Sequence, residues 1–288
     1  IMLGNGKTYD FQPVRYAGST PQIQALAIKG LEVAAFSDSA FALAVTNAHL
    51  EVRIVADVLQ TGRDGYWSGQ YVVASDGPIK TIADVKGRRV ATNAIGSEAD
   101  STMRAMFRKH GIKDSDFTTV EANFANQPAM LQGGKVDMVQ LLPQFADALM
   151  ATGKYRVLFT SVDVHGASDA VFWVMRADVV AANRPALVDF YTDYMRAMRW
   201  FLDPANRTEA LAIAVAVTHS APAALDYAFT KRDFYRSPDL LPVIEAIQKE
   251  IDEDVELKVL PKRIAVSPRY VDLSLIAAAK ERLDDHPR

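Results

Sequence analysis

Two short turns carry the side chains best suited to holding a small charged molecule: Phe36-Ser37-Asp38-Ser39 and Asn93-Ala94-Ile95-Gly96-Ser97-Glu98-Ala99-Asp100. Each closes a brief apolar run and opens a helical pattern. A helix start leaves backbone N–H groups without partners and carries the positive end of the helix dipole, so it favours an anion. In the second turn, Gly96 lets backbone come close to a bound group. Ser97 and Asp100 have the Ser-x-x-Asp spacing of a capping box. The N–H groups of Gly96 and Ser97 are then expected to hold a carboxylate or sulfonate, although an ordinary capped helix has the same pattern. In the first turn, Ser37 and Ser39 offer hydroxyl donors. Asp38 repels an anion and suits either capping or an amino or hydroxyl group on a ligand.

Other strand ends add neutral groups. Asn123 and Gln144 offer hydrogen bonds, Phe124 offers an apolar wall, and Pro143 opens the helix that carries Gln144. Tyr66-Trp67-Ser68-Gly69-Gln70 presents an aromatic pair that fits either an aromatic ligand or the underside of a loop. His165 is expected to cover a chain crossing, with donation to a ligand as the alternative. Arg15, Arg63, Arg104 and Arg176 are long enough to pair with an anion. No Gly-x-Ser-x-Gly elbow, P-loop or His-Glu-x-x-His occurs, so no catalytic residue is assigned. The histidines at 49, 110, 165, 219 and 286 have no partner at helical metal spacing, and no metal or other cofactor is expected.

The 288 residues suffice for two lobes, with 49% hydrophobic and 23% charged residues. Net charge is −3 without a basic run, which argues against nucleic-acid binding. Absence of cysteine excludes thiol chemistry, Cys-ligated metal and disulfides, and suits an oxidising compartment. The start, Ile1-Met2-Leu3, is that expected of a processed or incomplete chain.

These turns must be placed by alternating strands and helices. Strands are predicted over 14–16, 33–36, 53–58, 70–74, 89–92, 118–121, 138–141, 156–159 and 171–176. Helices are predicted over 20–29, 39–48, 82–85, 97–110, 126–133 and 143–152, then over 184–202, 206–214, 222–229, 238–252 and 268–283. This is an α/β pattern of mixed, largely parallel sheets flanked by helices. A helix–strand–helix unit with a Val/Leu-acid-apolar strand occurs near 20–45 and again near 126–150, as two similar lobes would give. The acidic stretch 250–256 reads as a solvated helix end.

Three segments, in order, carry a family resemblance: Ile23–Ala35, with Lys29-Gly30-Leu31-Glu32-Val33 in it; residues 70–91, with Ile79-Lys80-Thr81-Ile82-Ala83-Asp84-Val85-Lys86-Gly87-Arg88-Arg89-Val90-Ala91; and Met130–Met138. Together they resemble the type II periplasmic solute-binding proteins of ABC importers, in the nitrate/sulfonate/taurine branch. The resemblance implies a two-lobed fold with a hinge of two crossovers. Lobe one would hold 1–75 and 169–288, lobe two 76–168, with crossings near Ser75 and Ser168. It also places Trp67, Ser68 and Gln70 beside an interlobe cleft, and implies a first strand, loop and helix that this numbering lacks. The expected function is capture of a small anionic solute by hinge closure and delivery to an inner-membrane permease, by a periplasmic monomer without enzymatic activity. Two alternatives use the same fold: an enzyme of the menaquinone or thiamine-precursor type, the latter disfavoured by the missing cysteines, and a ligand-sensing regulatory domain.

Overall fold

A computed structural model describes residues 2–285. The strands are β1 (Val33–Phe36), β2 (Val52–Thr61), β3 (Gln70–Ala74), β4 (Arg89–Thr92), β5 (Thr118–Glu121), β6 (Met138–Leu141), β7 (Tyr155–Thr160) and β8 (Ser168–Arg176). Helices that precede the last strand are α1 (Thr20–Ala27), α2 (Asp38–Thr46), α3 (Glu98–Lys109), α4 (Gln127–Gln132), α5 (Pro143–Met150) and α6 (Ser161–His165). After it come α7 (Ala177–Ala182), α8 (Arg184–Leu202), α9 (Arg207–Thr218), α10 (Ile244–Glu256) and α11 (Ser274–Asp285).

Two sheets result. The first has the order β1-β8-β2 and the second β5-β4-β6-β3-β7. β8 runs antiparallel to both of its neighbours, and β3 does the same in the second sheet. Only β4 pairs in parallel, with β5 and β6. The sheets are mixed as expected, but antiparallel pairs prevail where parallel ones were predicted. The reason is that β3 and β8, the strands that enter each sheet from the other, run against their neighbours.

Alternation along each strand feeds two faces. Ile54 of β2 faces a core shared with Leu26, Phe41, Ile247 and Ile251 of α1, α2 and α10. Val55 faces the other side, against Tyr191, Met195, Leu275 and Leu283 of α8 and α11. In the second sheet, Tyr71 and Val73 pack with Met103 and Phe107 of α3. Val72 between them packs with Leu131 and Leu149 of α4 and α5. β2 and β3 are thus covered on both sides, which explains their near-continuous apolar runs, whereas the edge strand β5 keeps exposed ends.

Several expectations are corrected. Residues 14–16 form no strand: the stretch is exposed, Val14 by 60%, and no described strand lies beside it to complete a ladder. β3, placed before the crossing at Ser75, bonds in the second sheet, so the chain changes sheets between Thr61 and Gln70. The helix predicted from 238 starts only at Ile244: Pro238 opens a turn that the Leu240 N–H closes on Ser237, Leu240 is left-handed, and Pro242 cannot donate to a helix ladder. That predicted from 268 starts at Ser274, and 222–229 reduces to a short 3-10 turn, Pro222–Leu225. α6 and α7 were not predicted. α6 is marked by a capping box between Thr160 and Asp163.

Candidate functional site

The two serine turns face each other where the sheets meet. Ser37 caps α2, its Oγ accepting from the Ala40 N–H at 3.3 Å and lying 3.0 Å from Ser39 Oγ. The Ser37 N–H donates to Ser19 Oγ at 3.1 Å. Ser39 Oγ reaches across to donate to the carbonyl of Gly96 at 3.1 Å. Asn93 Nδ2 likewise donates to the Ala17 carbonyl at 2.9 Å. Gly96 has φ +78°, and a Cβ there would stand 3.1 Å from Leu43 Cδ1 and 3.3 Å from Thr20 Oγ1. Only glycine suits both that backbone and that closeness.

Within the second turn, the Ser-x-x-Asp box forms differently from the expected one. Ser97 Oγ donates to Asn93 Oδ1 at 2.8 Å and to the Ala94 carbonyl at 2.7 Å instead of capping α3. Asp100 reaches one residue further back and accepts from the Gly96 N–H at 2.9 Å. The Ser97 N–H donates to the Ala94 carbonyl at 3.2 Å. Both N–H groups expected to grip a ligand are therefore engaged inside the turn.

Carboxylates gather at this junction. Asp38 opens α2 and is buried, which pushes its carboxyl up to about 7, helped by the charge of Glu98. Glu98, half-buried at the first position of α3, accepts from Gln140 Nε2 and Ser161 Oγ, each at 3.2 Å. Desolvation outweighs those bonds and raises its carboxyl. From α10 come Glu250 and Asp254, buried and one turn apart. Desolvation, then the charge of Asp38, lifts both well above the usual carboxylate range. The N-termini of α2 and α3, expected to offer positive potential to a ligand, thus carry carboxylates of the protein's own.

His165 borders the same cluster. Its Nδ1 lies 2.8 Å from Glu253 Oε2 and its Nε2 3.9 Å from Asp254 Oδ1. Burial lowers its pKa although Glu253 pulls the other way. The Lys249 ammonium donates to its carbonyl at 2.7 Å, which ties α6 to α10. His165 thus sits at the end of α6, just before β8.

The remaining expected residues lie apart. Ser68 Oγ accepts from the Val162 N–H at 3.0 Å, joining the outward crossing to α6. Trp67 is half-buried against the second sheet, its Nε1 without a partner, and Gln70 opens β3 beside Leu141 and Thr160. Asn123 is exposed after β5, and Phe124 is half-buried before α4. Pro143 is buried at the start of α5, with Gln144 half-buried next to it. Among the described residues, no side-chain hydrogen bond links these to the carboxylate cluster.

None of the four arginines supplies a charge clamp here. Arg104 bonds Asp100 and Asp114, both at 2.9 Å. Arg176 holds Asp178 and the carbonyls of Leu26 and Leu31. Arg63 bonds Gln60 Oε1 at 2.7 Å and lies over the Tyr235 ring, while Arg15 is exposed. Arg63 also lines a cavity of about 240 Å³ between the two crossings, with Gln60, Ala167, Ser168, Val243 and Ala246. Nearby, Asp57 and Asp169 form a second buried carboxyl pair. They accept from the Ser237 and Val243 N–H groups at 3.1 and 2.6 Å and thereby anchor residues 237–243. Burial raises Asp57 to about 6 and Asp169 well above its ordinary value, so the pair is set to share a proton.

Glu98, Glu250 and Asp254 were missed from the sequence, and 250–256 was misread as a solvated helix end. A signal was present. Ile247, Glu250, Ile251 and Asp254 share one helical face at i, i+3, i+4, i+7 spacing, so a buried Ile247–Ile251 stripe carries both acids inward. No group of three or more acidic, His or Cys side chains among the described residues is arranged to hold a metal ion.

Residues 10–206 match the family model described as NMT1/THI5 like. The chain belongs to that family. Over 94 residues it is 33% identical to an Escherichia coli (strain K12) protein named for binding aliphatic sulfonates. That stretch is 33% of this chain and spans 29% of the relative's length. Among solved structures, it is similar to the alkanesulfonate-binding protein SsuA of Xanthomonas axonopodis pv. citri bound to MOPS. There the TM-score is 0.68 at 21% identity, over 90% of this chain and 86% of the other. The desulfurization enzyme DszB is also similar, with TM-score 0.60 at 15% identity over 87% of this chain and 85% of the other. At such identities the likeness shows the fold alone, the two-lobed type II periplasmic-binding fold, and that fold serves binding proteins and an enzyme alike.

Proposed function

We propose that this protein is the solute-capture subunit of an ABC importer, which holds a small sulfonate or related anion between its lobes and passes it to a membrane permease. By sheet membership, one lobe comprises the chain up to the crossing at 62–69 together with β8 and all that follows. The other comprises β3 to α6. The observation that carries this reading is the meeting of Ser39 with Gly96 and of Asn93 with Ala17. The turn after β4 bonds both the turn after β1 and the loop that leads into α1, across a junction between two separate sheets that two crossings connect. Such a junction opens and closes by rotation at the crossings, and its mouth is where α/β sheets bind ligands. Ser37, Asp38, Ser39, Gly96, Ser97 and His165 line it in this reading, with Trp67, Ser68, Gln70, Asn123, Phe124, Pro143 and Gln144 at its rim. The relative named for aliphatic sulfonates supports that ligand class. The protein then works in the periplasm, as a monomer, without changing its solute.

The test is a thermal-shift panel of alkyl and aryl sulfonates, nitrate and aliphatic and aromatic carboxylates. A ligand at 100 times its dissociation constant should stabilise the native state by about 2.7 kcal/mol, a visible shift. The bound compound, recovered and identified by mass spectrometry, should be unaltered. Conversion of it would move the reading to an enzyme on this fold. A panel without any shift would reject the capture role.

A further inference from the structure

We propose that residues 226–236 form a strap from the first lobe that closes one side of the cleft, with Arg232 as its catch on Asp147 of the second lobe. The proposal rests on the capture reading above and names a contact that holds the lobes together before a solute binds.

The catch is a single ion pair. Arg232 Nη1 lies 2.8 Å from Asp147 Oδ2, on α5. Among the described residues, this is the one pairing of a Lys or Arg with a carboxylate that joins the two lobes. Nη2 of the same guanidinium lies 2.5 Å from Asp226 Oδ2, so a carboxylate of the strap itself orients it. The turn just before the strap, Pro222–Leu225, also packs on α5.

The strap is braced to present that guanidinium. Asp233 is buried, and its carboxylate accepts from the Phe229 N–H at 3.0 Å, the Phe234 N–H at 2.8 Å and Arg236 Nη1 at 2.7 Å. These bonds fix the bend from which Arg232 projects. The strap is also seated on the outward crossing. The Trp67 N–H donates to the Asp233 carbonyl at 2.9 Å, and Lys231 Nζ to the Asp64 carbonyl at 3.1 Å. Arg63 lies over the Tyr235 ring at 4.5 Å, and the Tyr66 ring meets it edge-on at 5.3 Å. A side chain already held in place loses little freedom when it pairs. Rotation about the crossings therefore breaks the bond to Asp147 and leaves the strap's own bonds whole. Both partners are exposed, so neither charge is left buried alone when the lobes part. A catch of this kind yields and re-forms on every cycle.

The chain has no cysteine, so spin labels can be placed by Glu32→Cys in the first lobe and Lys135→Cys in the second, both exposed. Double electron–electron resonance of the whole ligand-free protein then reads the distance between the lobes. Arg232→Glu sets a like charge against Asp147 and should shift weight to longer distances. Asp147→Arg added to it should restore the distribution of the natural chain. Arg232→Gln should lower the ratio of closed to open lobes about two- to fivefold, and about 1 M salt should do the same to the natural chain. An unmoved distribution in Arg232→Glu overturns the catch. So does a longer one that Asp147→Arg fails to reverse, since Arg232 would then act through Asp226 alone. These distances need no solute, so either failure leaves the capture role standing, and silence of the solute panel rejects that role separately.

Discussion

At the scale of single residues, burial decides what each side chain contributes. Asp38 begins a helix, where a carboxylate is ordinarily favoured, yet enclosure raises its carboxyl to about 7. A carboxyl whose pKa is higher folded than unfolded contributes stability in full below the unfolded value of 3.8, and loses it as pH climbs through about 7. Asp38→Asn imitates the protonated form. It should therefore leave the melting temperature almost unchanged near pH 4 and raise it near pH 8, by on the order of 1 kcal/mol or more. Melting curves of both proteins across that range check it, and a shift that does not grow with pH would show that Asp38 is already satisfied as the anion. Capping of α2 is expected of Asp38, but Ser37 fills that place, accepting from the Ala40 N–H. The use of Asp100 could not be read from sequence, because its carboxylate is oriented by Arg104 one turn on.

At the scale of elements, α1 and α10 show how local pattern and packing divide the work. β1 is an edge strand of its sheet, and Gln22 of α1 bonds both its Ala35 N–H, at 2.9 Å, and its Ala35 carbonyl, at 3.1 Å. One side chain thus completes the ladder as a neighbouring strand would. Gln22→Ala leaves these half-buried backbone groups unpaired and should lower stability by about 1–3 kcal/mol. In urea unfolding this appears as a lower midpoint at an unchanged slope; an unmoved midpoint would mean that water replaces the glutamine freely. For α10, periodicity correctly predicts a helix, while its start waits for Ile244 because two prolines precede it.

At the scale of the molecule, Asp38, Glu250 and Asp254 ride with the first sheet and Glu98 with the second. The proposed closure moves Glu98 towards the other three, so in that reading their ionisation opposes it. Small-angle scattering of the ligand-free protein should give a larger radius of gyration near pH 8.5 than near pH 5.5, and Glu98→Gln should reduce the difference. A radius that stays constant or shrinks with rising pH would show that the charges do not govern the lobes.

The sequence by itself determined the α/β class, the bounds of most strands and the starts of the helices up to α5. The class, those strand bounds and the helix starts from α1 to α5 follow from period-2 and period-3.6 apolar patterns and from caps, which act over a few residues; the starts of α10 and α11 and the presence of α6 and α7 do not. It also held the motifs of the family over 70–91. Only the tertiary structure decided that β3 joins the second sheet and that residues 14–16 remain unpaired, since strand pairing joins segments far apart in the chain. The same holds for the cleft. Glu98 and Glu250 are 152 positions apart in the numbering, and nothing local to either reveals that folding withdraws both carboxyls from water and raises them.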